Sequence, residues 1–260
     1  MCTLSIIARP DGGYRGVCNR DESRDRAIAL PPESRTLASD GRSVRAIWPT
    51  DPAGGGTWIA ANNAGVLLCL LNYNPSPAVG PTAASPAARG LVSRGLIIPE
   101  LAKHTSAAAA LKAAGQMDLS DFAPFRLVVV EAAAAGPTAT ELRWDRRTLT
   151  TLSHEPGPVC FASSGLGDER VQGRLGLFAQ LVTGVPTAAS QDRFHAHRWS
   201  DRPELSVMMS REDARTVSVT AVDVARAEGG YDVSMQYHPT ADERSRSRLG
   251  AAAQYRSPEG

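Results

Sequence analysis

Cys2 is the residue whose position in this chain points most directly to chemistry. An initiator methionine is readily removed when the next residue is small, and its removal leaves Cys2 with a free α-amino group. That amine, with a reference pKa of about 7.7–8.0, can take the proton of the adjacent thiol directly or through a water molecule. One residue then supplies both the nucleophile and its base. The structural alternative is that Cys2 is simply the second residue of a buried first strand.

A polar tetrad, Asn19-Arg20-Asp21-Glu22, follows the second predicted strand. Strands are predicted over Cys2–Arg9 and Tyr14–Asn19, and the turn Pro10-Asp11-Gly12-Gly13 joins them into a hairpin. The hairpin brings the tetrad beside Cys2, so amide and carboxylate side chains can meet the thiol.

Strand geometry limits which members of the tetrad reach Cys2. Asn19 and Asp21 share one face of a regular strand, and Arg20 lies on the other face. Arg20 and Asp21 therefore both meet Cys2 only if the chain bends there. An ionised Asp21 would favour the ammonium form of the α-amino group and orient it. The alternative is that Asp21 caps a turn or pairs with Arg20 or Arg24.

Several motifs together resemble the NRDE family, which includes the homologues of transport and Golgi organisation protein 2. The motifs are the start Met1-Cys2-Thr3, the Asn19-Arg20-Asp21-Glu22 tetrad, Gly55-Gly56-Thr57-Trp58, Asn72-Tyr73 and Ser93-Arg94-Gly95-Leu96. The resemblance covers residues 1–100 well and the remainder weakly. The tetrad at this distance from an N-terminal cysteine is the specific part of the signal.

The NRDE family is in turn similar to the N-terminal-nucleophile hydrolases, especially the bile salt hydrolases and penicillin V acylases. That similarity implies an α+β fold, a four-layer αββα sandwich of two antiparallel sheets. It places Cys2 as the nucleophile and matches Asn19 and Asp21 to the hydrolase motif Arg-Asn-x-Asp, with Asp21 holding the α-amino group. It also matches Asn72 to the asparagine whose side-chain amide helps to form the oxyanion hole.

The chain departs from the hydrolase pattern at three places. The arginine of the hydrolase motif falls on Cys18, and the nearest arginine is Arg20. A second hydrolase asparagine has its counterpart at Ser164, and the late catalytic arginine has only Arg198 and Arg211 as candidates. The resemblance therefore keeps the nucleophile and the oxyanion donor and changes the residues around them.

Two further segments are predicted to line a substrate pocket. The turn Gly54-Gly55-Gly56 leads into the strand of Trp58, and no Gly-Lys-Ser/Thr follows, so this is not a P-loop. Arg94 either reaches the pocket or is a solvated residue at the start of a helix. His195-x-His197 would put two imidazoles on one face of a strand, but no third ligand stands nearby, so we predict no metal site and no cofactor.

The remaining elements favour an α+β fold because antiparallel hairpins stand at both ends and helices lie between them. Glu22–Thr50 is predicted to be a long loop or lid with one short strand around Val44–Trp48, and Asn74–Ala88 another loop. The predicted helices are Arg89–Leu101, Ser106–Ala114 and Arg170–Leu181. The further predicted strands are Thr57–Ala61, Val66–Asn72, Arg126–Glu131, Glu141–Trp144, Val159–Ser163, Leu205–Met209, Thr216–Asp223 and Asp232–Tyr237. We expect one domain over residues 1–240 and a poorly ordered polar tail over residues 241–260.

Composition excludes several classes of protein. The 260 residues carry 28 basic and 27 acidic side chains, a net charge of +1 that gives no support to nucleic-acid binding. Apolar runs fall short of the ~20 residues that span a bilayer, and no signal peptide is visible, so we expect a soluble cytoplasmic protein without membrane insertion. The four cysteines form no CxxC pair, which suits neither a disulfide scaffold nor a zinc ribbon.

Two functions remain in view from the sequence. The first is an N-terminal cysteine hydrolase that cleaves a small acyl amide or thioester through an acyl-Cys2 intermediate. The second is a non-catalytic binding or trafficking protein on the same scaffold, because the NRDE family has been linked to haem mobilisation and to lipid or acyl-CoA metabolism. The partner is then haem or acyl-CoA rather than a substrate, and the oligomeric state is not predicted.

Overall fold

Two antiparallel sheets form the centre of the computed structural model, which describes residues 2–39, 41–74, 92–133 and 135–241. With strands numbered along the chain, the first sheet has the order β10-β1-β2-β11-β12 and the second the order β3-β4-β5-β6-β7-β8-β9. The first sheet comprises β1 (Cys2–Ala8), β2 (Tyr14–Ser23), β10 (Val159–Ala162), β11 (Ala214–Ala227) and β12 (Gly230–Pro239). The second comprises β3 (Leu30–Ser39), β4 (Arg42–Thr50), β5 (Ile59–Asn62), β6 (Val66–Asn72), β7 (Phe125–Glu131), β8 (Thr138–Trp144) and β9 (Leu149–His154).

Helices cover the outer face of each sheet. The helices α1 (Ile97–Leu101) and α2 (Ala107–Gly115) pack on the second sheet, and α3 (Gln172–Phe178) and α4 (Ala188–His195) pack on the first. Separate apolar clusters fill the space between the sheets and the space under each helix pair. The predicted four-layer αββα sandwich is confirmed.

The central strands show why the chain folds this way. In β6, the run Val66–Leu71 is buried on both faces, because one face meets the first sheet and the other meets α1. Such a strand reads as a continuous apolar run rather than as an alternation. In the edge strand β12, by contrast, exposed and half-buried residues alternate.

The prediction of a long loop or lid over Glu22–Thr50 is wrong. This region contains β3 and β4, which pair along most of their length. Because β3 is the edge strand of the second sheet and is mostly exposed, it lacks the apolar alternation that would have revealed it. An edge strand also tolerates Pro31 and Pro32, which cannot donate hydrogen bonds to a neighbour.

The region after residue 180 also differs from the predictions. Helix α4 was missed because it is short and polar, although Thr187 and Ser190 cap it reciprocally. The predicted strand Leu205–Met209 is wrong. Pro203–Leu205 forms a 3₁₀ turn, and Val207 packs in the core without joining the sheet. Strand β9 was also missed.

Other boundaries move by smaller amounts. The predicted helix over Arg89–Leu101 is a 3₁₀ turn, Arg94–Leu96, followed by α1, and its first residues lie outside the described ranges. Most of the predicted loop Asn74–Ala88 and nearly all of the predicted tail, residues 242–260, lie outside them too. Within the described ranges, no helix has the length and apolar character needed to cross a membrane.

A buried polar network fastens β1 and β2 to α4. The Asn19 amide nitrogen donates to the backbone oxygens of His195 and Val207 at 2.9 Å, so its oxygen must accept from His195 Nδ1 at 2.8 Å. His195 Nε2 then accepts from the Ser5 hydroxyl at 2.7 Å. The ring is therefore neutral, and burial together with the charges of Arg15 and Arg174 lowers the pKa of His195 to about 3.

We predict that this network makes folding stability depend on pH. The unfolded chain protonates His195 below its ordinary pKa of about 6.5, whereas the folded chain does not until about pH 3. The unfolded state thus binds more protons within this window, so stability falls as the pH is lowered through it, by up to about 1.4 kcal/mol per pH unit. Urea unfolding at pH 7 and pH 5 measures the slope.

The matched variants are His195→Gln and His238→Gln, the second at an exposed position. The stability loss between pH 7 and pH 5 should shrink by about 2 kcal/mol in His195→Gln and persist in His238→Gln. An unchanged loss in His195→Gln would contradict the assignment.

Candidate functional site

Cys2 lies at the end of the first sheet and is held from both sides. It pairs across β1 and β2 with Arg20, while its backbone oxygen accepts from the backbone N–H of Ser163 at 3.0 Å. Its backbone nitrogen lies 3.2 Å from the Ser163 hydroxyl oxygen. The main chain of Cys2 is thus fixed, and its nitrogen has a hydroxyl partner.

A cavity of about 460 Å³ opens beside Cys2. Most residues that the sequence suggested for the site lie in its wall: Cys2, Arg20, Asp21, Trp58, Asn72 and Arg94. They come from β1, β2, the end of β6 and the loops before β5 and α1. The fold therefore assembles the candidate residues from five separate segments.

Asn19 and Ser164 do not line this cavity. Asn19 is fully buried on the helix side of the sheet, where its amide is committed to His195 and Val207. The Ser164 hydroxyl accepts from the backbone N–H of Leu166 and stabilises a turn. Ser163, the residue before it, contacts Cys2 instead.

Arg20 and Asp21 both reach the cavity without the predicted bend. Strand β2 continues to Ser23, and the irregularity lies on its neighbour β11, between Thr216 and Ser218. Because Cys2 begins its strand, the cavity opens around the strand end, and side chains from both faces of β2 enter its wall. Both side chains therefore line the cavity from a continuous strand.

Arg20 is committed to structural contacts on its side of the strand. Its guanidinium lies 4.3 Å above the centre of the Trp58 ring and donates to Asp51 at 2.9 Å. Arg26 donates to the same Asp51 oxygen at 2.6 Å. Asp51 in turn accepts from the backbone N–H of Ala53, so this cluster fixes the loop that carries the glycine triplet.

Asp21 faces the helices and pairs with Arg174, a residue that sequence reasoning missed. Arg174 Nη1 lies 3.5 Å from Asp21 Oδ2 and 2.7 Å from the Thr3 hydroxyl, and both charged side chains are about 1% exposed. The Thr216 hydroxyl donates to Asp21 Oδ1 at 2.6 Å. Burial raises the pKa of Asp21, and the Arg174 charge and the Thr216 hydrogen bond oppose that rise.

Arg174, rather than Arg198 or Arg211, is therefore the arginine from the C-terminal part of the chain that lies at the site. Arg198 is exposed, and Arg211 pairs with Asp213. The sequence did contain a signal for Arg174. It occupies the buried stripe Val171, Arg174, Phe178 and Val182, whose spacing of three and four residues marks one face of a helical segment.

The Cys2 thiol is held in its neutral form. A hydrogen bond with the Cys18 thiol, burial and the charge of Asp21 raise the pKa of Cys2 well above its ordinary value. Cys18 Sγ also lies 3.8 Å from Cys69 Sγ, so a row of three thiols runs from the cavity into the core between the sheets. A thiol in this setting needs a base in order to react.

Asn72 ends β6 and lines the cavity. It pairs with Phe125 through the backbone, but its side chain makes no hydrogen bond to any residue that the structure describes. An amide N–H in this position can donate to an oxygen of a bound molecule.

The glycine triplet Gly54-Gly55-Gly56 packs closely against the segment Ser93-Arg94-Gly95, and together they form another wall of the cavity. The Thr57 backbone N–H donates to the Gly95 oxygen at 3.0 Å. A Cβ on Gly56 would lie 2.2 Å from the Gly95 carbonyl carbon, and one on Gly54 would lie 2.7 Å from the Ser93 hydroxyl oxygen. The absence of side chains at these positions lets the segment that carries Arg94 approach the cavity.

The two histidines do not form a metal site. His195 ends helix α4 and is buried in the Ser5–Asn19 network, whereas the His197 ring makes an edge-to-face contact with the Trp199 ring, with 5.0 Å between the ring centres. The segment is not a strand, so the spacing does not place the two imidazoles on one face. Across the described ranges, no three His, Cys, Asp or Glu side chains are placed to hold a metal ion together.

Comparisons with known proteins identify relatives of the sequence and of the fold. The profile of the family described as Transport and Golgi organisation 2 matches residues 1–183. No curated protein sequence matches the chain significantly. The structure aligns with an N-acylethanolamine-hydrolyzing acid amidase (NAAA) ortholog from Caenorhabditis elegans at a TM-score of 0.55 and 12% identity, covering 85% of this chain and 92% of that one.

Two variants of the conjugated bile acid hydrolase from Clostridium perfringens also align. Their TM-scores are 0.44 and 0.45 at 13% and 12% identity, covering 91% and 92% of this chain and 92% and 97% of theirs. At 12% identity the acid amidase shows a shared fold, the Ntn-hydrolase-like sandwich already described.

We predict that Arg174→Met lowers the free energy of unfolding by about 3–5 kcal/mol, because it leaves the Asp21 carboxylate buried without its cation. Urea unfolding measures the loss. The double variant Arg174→Met/Asp21→Asn should recover part of it, and Arg170→Met, at an exposed position of the same helical segment, should change stability little. A double variant that is no more stable than Arg174→Met would contradict the pairing.

Proposed function

The chain belongs to the Transport and Golgi organisation 2 family, and from that premise we propose that it is an N-terminal cysteine hydrolase that cleaves a small acyl amide or thioester. The observation that carries the proposal is the position of Cys2. Its nitrogen meets the Ser163 hydroxyl, and its residue lines a cavity together with Asp21 and Asn72. The acid amidase that shares the fold hydrolyses an N-acyl compound, which fits the amide form of the proposal.

Removal of Met1 turns the Cys2 nitrogen into an α-amino group. No histidine lines the cavity among the described residues, so this amine is the base that the site offers. The amine takes the thiol proton, and the thiolate attacks the substrate carbonyl carbon. The ionised form of Asp21 stabilises the resulting ammonium, and the Ser163 hydroxyl fixes its orientation.

Negative charge then develops on the carbonyl oxygen. The Asn72 amide, which has no competing side-chain partner in the described chain, donates to that oxygen. One fixed donor of this kind lowers a barrier by about 2.7–4 kcal/mol. The carbon–nitrogen or carbon–sulfur bond breaks, the leaving group takes the proton from the ammonium, and the acyl group stays on Cys2 Sγ.

Water completes the cycle. The α-amino group, neutral again, removes a proton from a water molecule, which attacks the thioester between the acyl group and Cys2. The carboxylic acid leaves, and the proton returns to the thiol. The raised pKa of Cys2 is consistent with this scheme, because the thiol stays neutral until the amine and a carbonyl are both in place.

The second candidate is a non-catalytic binding protein for haem or acyl-CoA. The observation that favours it is Cys18, which replaces the hydrolase arginine and keeps the neighbouring Cys2 thiol neutral. In this form, Cys2 is a wall residue of a binding cavity, and no reaction takes place on its thiol. A cytoplasmic location belongs to both forms of the proposal.

We predict that the purified protein lacks Met1 and that Cys2→Ala reduces hydrolysis of acyl amides and acyl thioesters to the background rate. Intact mass spectrometry shows whether Met1 is present. A brief pulse of near-stoichiometric iodoacetamide at neutral pH, followed by peptide mapping, should label Cys2 before Cys69, because only Cys2 has an adjacent amine.

The matched control is Cys160→Ala, on the edge strand β10, which should keep the wild-type rate. Retained Met1, or no hydrolysis above background in the unsubstituted protein, would overturn the hydrolase and leave the binding protein. A saturable shift of the haem Soret band, absent with an unrelated apolar protein, would then identify haem as the ligand. An unchanged rate above background in Cys2→Ala would overturn the role of Cys2 as the nucleophile.

A further inference from the structure

The charged residues around the cavity are unevenly paired. Each carboxylate in its wall has an arginine within 4 Å: Asp51 has Arg20 and Arg26, Glu22 has Arg20, and Asp21 has Arg174. Arg94 also lines the wall, but no carboxylate in the described part of the chain lies within ion-pair distance of it. The group therefore holds four arginines against three carboxylates, and Arg94 carries the unmatched charge.

Arg94 is nevertheless half-buried. Its Nη1 donates to the Pro124 backbone oxygen at 2.8 Å, the one hydrogen bond of the guanidinium to the described residues. A guanidinium has five N–H donors, so most of its donors remain for a molecule in the cavity. Burial lowers the pKa of Arg94, and the charge of Glu22, beyond ion-pair distance, only partly opposes that effect.

The position of Arg94 is built into the backbone. Gly95, the next residue, accepts from the Thr57 backbone N–H at 3.0 Å. The Gly56–Gly95 contact leaves no room for a Cβ on Gly56. The contacts of Gly56 and Thr57 with Gly95 therefore fix the backbone beside Arg94 at the wall of the cavity that Cys2 also lines.

We propose that Arg94 forms an anion subsite, and that the molecule bound beside Cys2 carries a carboxylate or phosphate group. A guanidinium binds either group through paired N–H donors, and such a bond is stronger where the guanidinium is partly shielded from water. Arg20 and Arg26 are committed to Asp51, so they do not replace it. Leu70 and Trp58 give the same cavity apolar wall for the part of the molecule between the anion and the reacting carbonyl.

The substrate class rests on the proposed hydrolase, but anion binding does not. Under the hydrolase, the substrate is an acyl amide or thioester with an anionic group. The binding experiment therefore uses Cys2→Ala, in which turnover is absent and the subsite is intact. Isothermal titration calorimetry measures the affinity of glutarate and, separately, of inorganic phosphate.

Arg94→Gln in the Cys2→Ala protein should weaken the preferred anion about tenfold to a hundredfold. Arg94→Lys should restore part of the affinity, and Arg42→Gln, which removes an exposed arginine at the start of β4 and outside the cavity wall, should leave it unchanged. Binding of glutarate alone identifies a carboxylate subsite, and binding of phosphate alone identifies a phosphate subsite. No saturable binding of either anion, or equal affinity in Arg94→Gln and Arg42→Gln, overturns the proposal.

An activity comparison in the otherwise wild-type chain separates the two proposals. The ratio of kcat/KM for glutaryl to pentanoyl thioesters of N-acetylcysteamine should fall in Arg94→Gln if the anion is a carboxylate. If neither thioester is hydrolysed while glutarate or phosphate binding still depends on Arg94, the hydrolase falls and the anion subsite stands. If pentanoyl thioester is hydrolysed while neither anion binds, the hydrolase stands and the subsite falls.

Discussion

The pairing register of β1 with β2 is the constraint on which the rest of the site depends. It sets Cys2 opposite Arg20 and Leu4 opposite Cys18, with these side chains directed between the sheets, and Thr3 opposite Asn19 towards the helices. A slip of one residue would move every side chain of β1 to the other face. Both faces resist the slip, because the thiols and Leu4 pack in the core, while polar partners from α3 and α4 hold Thr3 and Asn19. The position of Cys2 is thus fixed by the packing of its neighbours along β1 and β2.

The electrostatics of the thiol follow from the same register. Cys18 lies on the face of Cys2, where a cation would favour the thiolate, and it supplies a hydrogen-bonding thiol instead. The nearest arginine on that face, Arg20, is already bound to Asp51 and stacked on Trp58. The charge of Arg174 therefore pairs with Asp21, and the charge of Arg94 lies in the cavity wall. In the proposed hydrolase, chemistry at Cys2 begins with a neutral thiol and a proton acceptor, and the α-amino group left by removal of Met1 is the proposed acceptor.

The sequence predicted the parts of this arrangement that local pattern determines. The first hairpin, the apolar strand Val66–Asn72 and the sandwich implied by the family motifs are confirmed, and six of the eight suggested site residues line one cavity. What sequence could not predict depends on contacts between distant segments. β3 has no apolar alternation because it is an edge strand. Helix α4 is short, and most of the side chains that it buries are polar: Ser190, Gln191 and His195. Arg174 pairs with a carboxylate 153 residues away, and only its place in an apolar helical stripe marks it.

The cavity has two walls, one from each sheet. One wall carries the proposed nucleophile, and the other carries the proposed anion subsite. The first sheet and its helices supply Cys2, Ser163 and Asp21, whose positions follow from strand register and from a buried ion pair. Loops attached to the second sheet supply Arg94, whose position follows from contacts that only glycine permits. The two walls are joined at Arg20, which pairs with Cys2 across β1 and β2 and binds Asp51 in the loop that carries the glycine triplet. The glycine-rich motif and the motif that carries Arg94 are thus one structural unit, and its physical task is to place a cation opposite a thiol.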